Sequence, residues 1–186
     1  MAIKSVVYKV NIGIADIDHG YYADHTLTIA KHPSETDERM MIRLLSFALQ
    51  AYQLEAMCNG DAVMAFGPGL SDAGEPDVYI KDFTDQFQVW IEVGQPDDRA
   101  IIKASNKSEK AFVYAYQHAS HVWFKNIENK LSRLRNLEIF YIEDALSAQL
   151  ESMAKRTMQL QATIQEGQVM FSDGERSIDI TPNKWL

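Results

Sequence analysis

Several common kinds of functional site are missing from this sequence. Its single cysteine, Cys58, excludes an internal disulfide and a Cys-pair metal site, and it fits a reducing compartment, so the expected location is cytoplasmic. No base adjoins Cys58, which favours a packed thiol over a nucleophile. His118 and His121 lack an evident third ligand, so a packed or surface pair is favoured over a zinc site. Neither a Walker-type phosphate loop nor a G-x-S-x-G elbow is present.

The sequence also lacks a long hydrophobic run and an excess of positive charge. No stretch approaches the roughly 20 apolar residues of a membrane helix, and residues 3–15 alternate like a strand rather than forming a signal peptide. We therefore expect a soluble protein with no membrane partner, folded as a single domain over residues 1–186. The formal net charge of −8 argues against a broad nucleic-acid-binding surface but does not exclude a narrow basic groove.

The polar and apolar pattern predicts a mixed α/β fold. Residues 3–15 and 21–30 alternate on either side of a short turn, which indicates an antiparallel hairpin. Further strands are predicted at 62–66, 78–80, 87–93, 111–116, 137–141, 156–165, 169–171 and 178–180. Helices are predicted at 34–50 with Ser34 as N-cap, at 96–106 with Pro96 at the first helical position, from the N-cap Ser120 onward, and at 143–154.

The helix predicted at 34–50 has one unusual position. On a helical wheel the predicted solvent stripe comprises Arg39, Arg43, Ser46 and Gln50. Glu38 falls instead in line with the apolar positions, so it should point inward or along an edge of the core. Its role is either to serve a polar site there or only to complement the helix dipole from the first turn.

Two acidic residues interrupt neighbouring strand patterns. Asp77 opens the apolar run 78–80, and Glu92 interrupts the most strand-like stretch of the chain, 87–93. Acidic side chains are depleted in strands and are rarely buried without a partner. The pair therefore indicates either a shared cation or a basic residue that offsets both charges. For Mg²⁺, two carboxylates and the backbone carbonyl of Val93 would be sufficient protein ligands.

Several longer motifs resemble one known family. They are the N-terminal hairpin, Tyr21-Tyr22-Ala23-Asp24-His25, His32-Pro33-Ser34-Glu35-Thr36-Asp37-Glu38-Arg39-Met40-Met41, Gly74-Glu75-Pro76-Asp77 and Trp90-Ile91-Glu92-Val93-Gly94-Gln95-Pro96-Asp97. Over essentially the whole chain these motifs are similar to those of the bacterial YaeQ family. The resemblance implies a core like the PD-(D/E)XK nuclease fold, with an added N-terminal β-hairpin and C-terminal β elements. It also implies that Asp77 and Glu92 bind Mg²⁺, with Mn²⁺ as a substitute, and that Glu38 joins them.

The chain departs from the nuclease pattern at the position of the motif lysine. An E-x-K motif would place lysine two residues after Glu92, where this chain has Gly94. Gln95 is the nearest substitute, and its amide can position a water but adds no positive charge. Lys103 could replace the lysine only if the helix that carries it packs closely over the sheet.

Two functions are compatible with this resemblance. The first is Mg²⁺-dependent hydrolysis of phosphodiester bonds in DNA or RNA, for which the candidate catalytic residues are Glu38, Asp77, Glu92, Gln95 and Lys103. The alternative is a non-catalytic interaction protein in transcription or nucleic-acid metabolism that keeps the nuclease-like scaffold. In that case arginines would neutralise the acids by direct ion pairs. The candidates for that role are Arg39, Arg43 and Arg99.

Overall fold

The structure is a computed structural model that describes residues 4–72 and 74–186. Its strands, numbered in chain order, are β1 (Val6–Asp16), β2 (Tyr21–Lys31), β3 (Ala62–Phe66), β4 (Val78–Asp82), β5 (Phe87–Val93), β6 (Ser108–Tyr116), β7 (Leu137–Ile142), β8 (Thr157–Gln165), β9 (Gln168–Ser172), β10 (Ser177–Ile180) and β11 (Asn183–Lys184). Its helices are α1 (Asp37–Gln50), α2 (Gln53–Cys58), α3 (Asp98–Lys107), α4 (Ser120–Leu131) and α5 (Asp144–Glu151).

The first sheet has five strands in the order β10-β9-β8-β1-β2. β1 pairs antiparallel with β2 along its whole length, and β8 pairs parallel with the other edge of β1. Alternation places Val10, Ile12 and Ile14 on one buried face of β1. The predicted N-terminal hairpin is confirmed, as is the hairpin of β9 and β10 near the end of the chain.

The second sheet has six strands in the order β11-β7-β6-β5-β4-β3. β5, β6 and β7 run parallel, with α3 and α4 as their crossover connections, whereas β3, β4 and β11 pair antiparallel with their neighbours. The carboxyl ends of β5 and β6 therefore lie at the same end of the sheet. In open α/β sheets this is the end at which ligands bind.

Helix α1 is enclosed by both sheets, and its predicted solvent stripe is wrong. The Phe47 ring contacts His25 of β2 and Phe66 of β3, so the helix touches the two sheets at one position. Arg43 and Ser46 are completely buried, and Gln50 donates to the buried hydroxyl of Tyr114. A helical wheel shows the positions on one helix only. It therefore placed these polar residues in solvent and could not show that the charge of Arg43 is neutralised inside the protein.

The predicted helix starts differ from the observed ones. The Thr36 hydroxyl, not Ser34, caps α1 by accepting from the backbone N–H of Arg39 at 3.1 Å. Asp97 caps α3 in the same way and leaves Pro96 outside the helix, and Ser120 lies inside α4 without capping it. The later start of α1 leaves Glu35 just before the helix, from where its carboxylate faces the first turns.

The second sheet is covered on its other face by α3 and α4. Trp90 of β5 packs there with Ile101 of α3 and Ile127 of α4 in a separate apolar cluster. The C-terminal segment adds Trp185 to this cluster, and β11 pairs with β7, an element that the sequence pattern did not predict. The predicted mixed α/β class is confirmed as two mixed sheets with helices between and outside them.

No helix within residues 4–72 and 74–186 is both long enough and apolar enough to cross a membrane.

Candidate functional site

A cavity of about 590 Å³ opens at the carboxyl ends of β5 and β6. Asp77, Glu92 and Gln95 line it, together with Arg39 of α1 and Tyr116 at the end of β6. Three of the five predicted site residues therefore share one cavity. Its position agrees with the end of the sheet that the strand topology favours for a ligand.

Asp77 is fixed by the backbone around it. Its N–H donates to the Ile91 carbonyl at 2.9 Å, and its carboxylate accepts the Val93 N–H at 2.7 Å. On the other side Gly67 donates to the Asp77 carbonyl, and a side chain at position 67 would collide with the Pro76 carbonyl, 1.8 Å from an added Cβ. The close approach that only glycine allows thus fixes the backbone of Asp77 between the end of β3 and β5.

Arg39 binds Asp77 directly. Its Nη2 lies 2.8 Å from each carboxylate oxygen of Asp77 and also donates to the Val93 carbonyl at 3.2 Å. Its Nη1 donates to Glu35 at 2.9 Å. The guanidinium is therefore hydrogen-bonded to both Asp77 and the Val93 carbonyl. These are two of the three oxygen groups that the sequence suggested as ligands of a cation.

A second arginine completes a buried ion-pair network. Arg43 donates through Nη1 to the Glu35 carboxylate at 3.0 Å and through Nη2 to the Gly67 carbonyl. Its Nε lies 4.0 Å from Asp77 Oδ1 and has no hydrogen-bond partner among the described atoms. Glu35 was missed in the sequence reading, although the spacing of Glu35, Arg39 and Arg43 by four residues each could have suggested that the three side chains meet.

Glu92 has no cationic partner of this kind. The Trp90 indole donates to Glu92 Oε1 at 2.7 Å, and no lysine, arginine or histidine nitrogen of the described residues lies within 4 Å of its carboxylate. Burial, and next the charge of Asp77, raise the pKa of Glu92 to about 7 against the opposing effects of the Trp90 hydrogen bond, Arg39 and Lys103. The cavity thus contains one carboxyl group whose charge is poorly compensated.

The two acids reach the cavity from different sides of β5. Glu92 shares its face of the strand with Trp90, on which α3 packs, whereas Arg39 approaches Asp77 from α1, which packs against Ile91 and Val93. Both nevertheless line the cavity at the end of β5. A ligand held by both would therefore sit at that end, not on either face of the sheet.

Gln95 and Lys103 occupy different surroundings. Gln95 lines the cavity and donates to the Ser120 hydroxyl at 3.1 Å. Lys103 lies over the Trp90 ring, 5.8 Å from its centroid, and donates to the Gly74 carbonyl, so it does not line the cavity. α3 does pack closely on the sheet, but the ammonium group is held beside Trp90 instead of in the cavity.

Glu38 lies apart from the other predicted site residues. Its carboxylate accepts from the Ser147 hydroxyl at 2.6 Å and from the Gln117 amide at 3.1 Å. It is half-buried, as expected for the edge of the core, but it is not part of the cavity wall. These contacts tie α1 to α5 and to the turn before α4.

The missing motif lysine has a conformational explanation. Gly94 has a φ of +100°, a region in which side chains other than glycine are strained. A lysine two residues after Glu92 would therefore not fit the backbone of this turn. The chain bends here, and residues 94–97 line the cavity.

The other candidate ligands do not form a metal centre. Within the described ranges no group of three or more His, Cys, Asp or Glu side chains is placed to hold a metal ion. The rings of His118 and His121 lie 5.5 Å apart, and His121 packs against Tyr141 and Trp185. Asp77 and Glu92 are a pair, so a cation between them would depend largely on water ligands.

The raised pKa of Glu92 predicts a pH-dependent stability that Glu92→Gln removes. The folded-state pKa of about 7 lies above the unfolded value of 4.5, so this contribution to stability is fully present below pH 4.5 and is lost as the pH rises through about 7. The loss is about 3 kcal/mol. In urea titrations we expect Glu92→Gln to be more stable than the wild type by about that amount at pH 8, and by less than about 1 kcal/mol at pH 5.

Glu75→Gln is the matched control for this prediction. Glu75 is exposed and lines the same cavity, so its replacement should leave the wild-type dependence of stability on pH unchanged. If Glu92→Gln shows the same pH dependence as the wild type, Glu92 does not carry a buried charge.

Comparison with known proteins places this chain among close relatives. A family model described as YaeQ protein matches residues 1–182. Proteins called "Uncharacterized protein YaeQ" from Salmonella typhi and Escherichia coli strain K12 are 37% and 34% identical to it over 186 residues, covering 100% of this chain and 98% of each relative.

Two crystal structures share the fold. The YaeQ protein of Xanthomonas axonopodis pv. citri superposes with a TM-score of 0.89 at 38% identity, covering 97% of this chain and 98% of that one. The YaeQ protein of Pseudomonas syringae gives a TM-score of 0.88 at 32% identity, with 98% and 96% covered. The architecture described above is therefore that of the relatives.

Proposed function

This chain belongs to the YaeQ family, and from that premise we propose that its Asp77–Glu92 cavity is a divalent-cation site for phosphodiester hydrolysis in nucleic acid. The observation that carries the proposal is Glu92, a carboxyl group that shares a cavity with Asp77 and lacks a cationic partner among the described residues. Burying such a group lowers stability unless a ligand compensates its charge. Perturbed acids in clefts are typical of functional sites.

The donors in this cavity suit Mg²⁺, with Mn²⁺ as a substitute. Two carboxylates and the Val93 carbonyl are hard oxygen ligands, which both ions prefer. Asp77 and the carbonyl could serve only after Arg39 turned its Nη2 away, because that nitrogen now contacts both groups. Bound at these oxygens, the ion would lower the pKa of a water and neutralise charge on a phosphate.

The chain's own residues would complete the site. Arg39 lies at the cavity wall, and once it had left Asp77 its guanidinium could pair with phosphate oxygens in a bidentate manner. The amide nitrogen of Gln95 donates a hydrogen bond to Ser120, so the amide oxygen would be available to orient a water. Lys103 contributes positive potential from beside Trp90, while Glu38 holds the helices together.

A second candidate function is supported by the same arginine. Arg39 and Arg43 pair with Asp77 and Glu35 without any ion, which agrees with the interaction-protein hypothesis for Asp77 but not for Glu92, and Arg99 contacts no carboxylate among the described residues. In this alternative the nuclease-like scaffold is non-catalytic and the network only stabilises the end of β5. The two candidates differ in whether Arg39 can be displaced.

Replacing Arg39 should strengthen the binding of Mg²⁺. Arg39→Met keeps the aliphatic stem but removes the group that competes for Asp77, so we expect the Kd for Mg²⁺ to fall by about tenfold or more. Isothermal titration calorimetry of the wild type, Arg39→Met and Glu92→Gln measures this directly. Glu92→Gln removes one ligand without unpairing Arg39, and it should show no binding.

Arg99→Met is the control for a lost arginine. Arg99 is exposed on α3, so its replacement should leave the Kd for Mg²⁺ within about twofold. Equal affinities of the wild type and Arg39→Met would show that Arg39 does not compete for the site. If none of the proteins binds Mg²⁺ at millimolar concentrations, the cation site is rejected and the non-catalytic function is favoured.

A further inference from the structure

The positive charge of this acidic chain is concentrated in one region. Between Arg99 and Arg135 the chain has eight of its 18 lysines and arginines but only two of its 26 acidic residues, Glu109 and Glu128. The rest of the chain is correspondingly more acidic than the net charge of −8 suggests. A charge distribution this uneven creates a local positive potential even on an acidic protein.

The fold presents most of these charges on one surface. α3, α4 and the turn 132–136 cover the outer face of the second sheet, and their apolar sides are used in packing on Trp90. We call the exposed basic side chains of this surface the outer basic layer. Its members are Arg99, Lys107, Lys125, Lys130, Arg133 and Arg135.

Most of the outer basic layer is not neutralised within the protein. Lys130 pairs with Asp98 at 3.0 Å, but the other five members have no carboxylate oxygen within 4 Å among the described residues. Most of the chain's other ion pairs involve basic residues elsewhere, such as Arg39, Arg43 and Lys81. The unpaired charges are therefore available to an anionic partner.

The helices that carry the outer basic layer begin at the cavity, with Arg99 near it and Lys107, Arg133 and Arg135 at or beyond the far ends of the helices. Pro96, Asp97 and Ala100, at the start of α3, line the cavity, and so do Gln117 and Ala119, just before α4. The Trp123 indole of α4 donates to the Pro96 carbonyl at 2.8 Å and ties the two helix starts together. A chain lying along these helices would thus reach the cavity at their N-terminal ends.

Partly exposed aromatic rings lie on and beside α4, the helix that carries Lys125 and Lys130. The Trp185 ring is partly exposed and lies against His121 and Phe124 of α4 and against Tyr141, with which it is stacked at 4.6 Å. Basic groups beside partly exposed rings suit a strand that offers both phosphates and bases. An anionic membrane fits less well, because α3 and α4 use their apolar faces on the sheet and Val122 is the one large apolar side chain that they expose within the described part of the chain.

We propose that the outer basic layer is the docking surface for a nucleic-acid strand and directs it to the Asp77–Glu92 cavity. Only the choice of partner rests on the proposed function, since binding along α3 and α4 requires neither the acids nor a divalent ion. Lysines and arginines would contact the phosphate backbone, so affinity would depend on salt and little on sequence. The contacts would position the strand without reading its bases.

The test is binding of fluorescein-labelled single-stranded DNA, single-stranded RNA and duplex DNA, measured by fluorescence anisotropy in EDTA. We expect binding that weakens as the salt concentration rises, and we expect the triple variant Lys125→Gln, Arg133→Gln, Arg135→Gln to lose about tenfold or more in affinity. The slope of log affinity against log salt should fall by about 2–3 in that variant. Because EDTA removes divalent ions, failure of the metal site would not affect this measurement.

The matched control removes three charges from the first sheet and from the residues that lead into its strands. Lys4, Lys9 and Lys155 are exposed and lie outside the outer basic layer, so Lys4→Gln, Lys9→Gln, Lys155→Gln should change affinity by less than about twofold. Equal losses in the two triple variants would overturn the proposal, as would absence of binding at low salt. Binding to phosphatidylserine vesicles without binding to any oligonucleotide would also overturn it.

Discussion

Asp77→Ala is expected to lower the free energy of unfolding by about 3–5 kcal/mol, the range for breaking a buried ion pair by removal of one partner. The carboxylate of Asp77 accepts from Arg39 and from the Val93 N–H, and it lies 4.0 Å from the buried Nε of Arg43. Without it, two guanidinium groups share one carboxylate, that of Glu35, and the guanidinium of Arg43 is completely buried. Urea or thermal unfolding of purified protein measures the loss.

A surface pair at the other end of β4 provides the comparison. Asp85 pairs with Lys81 at 2.8 Å, but the Asp85 side chain is 85% exposed. Asp85→Ala should therefore cost less than about 1 kcal/mol. In a double variant, Asp77→Ala with Arg39→Met, the loss in the free energy of unfolding should be smaller than the sum of the losses in the two single variants. The reason is that the double variant removes a charge together with its partner. Similar stability of Asp77→Ala and the wild type would contradict the buried network.

The second large effect is expected in catalysis. If the cavity hydrolyses phosphodiesters, Glu92→Gln should reduce the Mg²⁺-dependent rate by at least about 100-fold, because it removes one of two charged ligands. The same variant is expected to be more stable than the wild type at pH 8, so loss of activity could not be attributed to unfolding. Cleavage of labelled single-stranded, duplex and structured oligonucleotides by both proteins measures the effect.

Glu75→Gln and Gln95→Ala make the activity assay specific. Glu75 is an exposed residue of the same cavity, and its replacement should leave the rate within about threefold of the wild type. Gln95→Ala removes an uncharged group, so its loss of rate should be smaller than that of Glu92→Gln. Cleavage that survives in Glu92→Gln would point to a contaminating nuclease or to another site.

The architecture could be predicted because its signals are local. Alternation along β1 and β2 and the apolar runs of β4 and β5 are properties of neighbouring residues, and the structure has strands at those places. α2 and β11 were missed because each is short, and β11 exists only through its pairing with β7. Such an element is defined by its partner and leaves little pattern of its own.

The details of the site could not be predicted because they depend on distant contacts. Arg43 appeared to face solvent on a helical wheel, but its charge is met by Glu35, eight residues before it, and by the Gly67 carbonyl from a different part of the chain. The sequence raised Arg39 as a partner for the acids only as one alternative. It could not show that Arg39 binds Asp77 and leaves Glu92 without a partner.

Crystals grown with millimolar Mn²⁺ provide the most direct test, because anomalous scattering locates the ion without reference to activity. The account predicts one anomalous peak in contact with the carboxylates of Asp77 and Glu92, with Arg39 Nη2 no longer bound to Asp77. No peak in the cavity, with Arg39 still on both oxygens of Asp77, would contradict it.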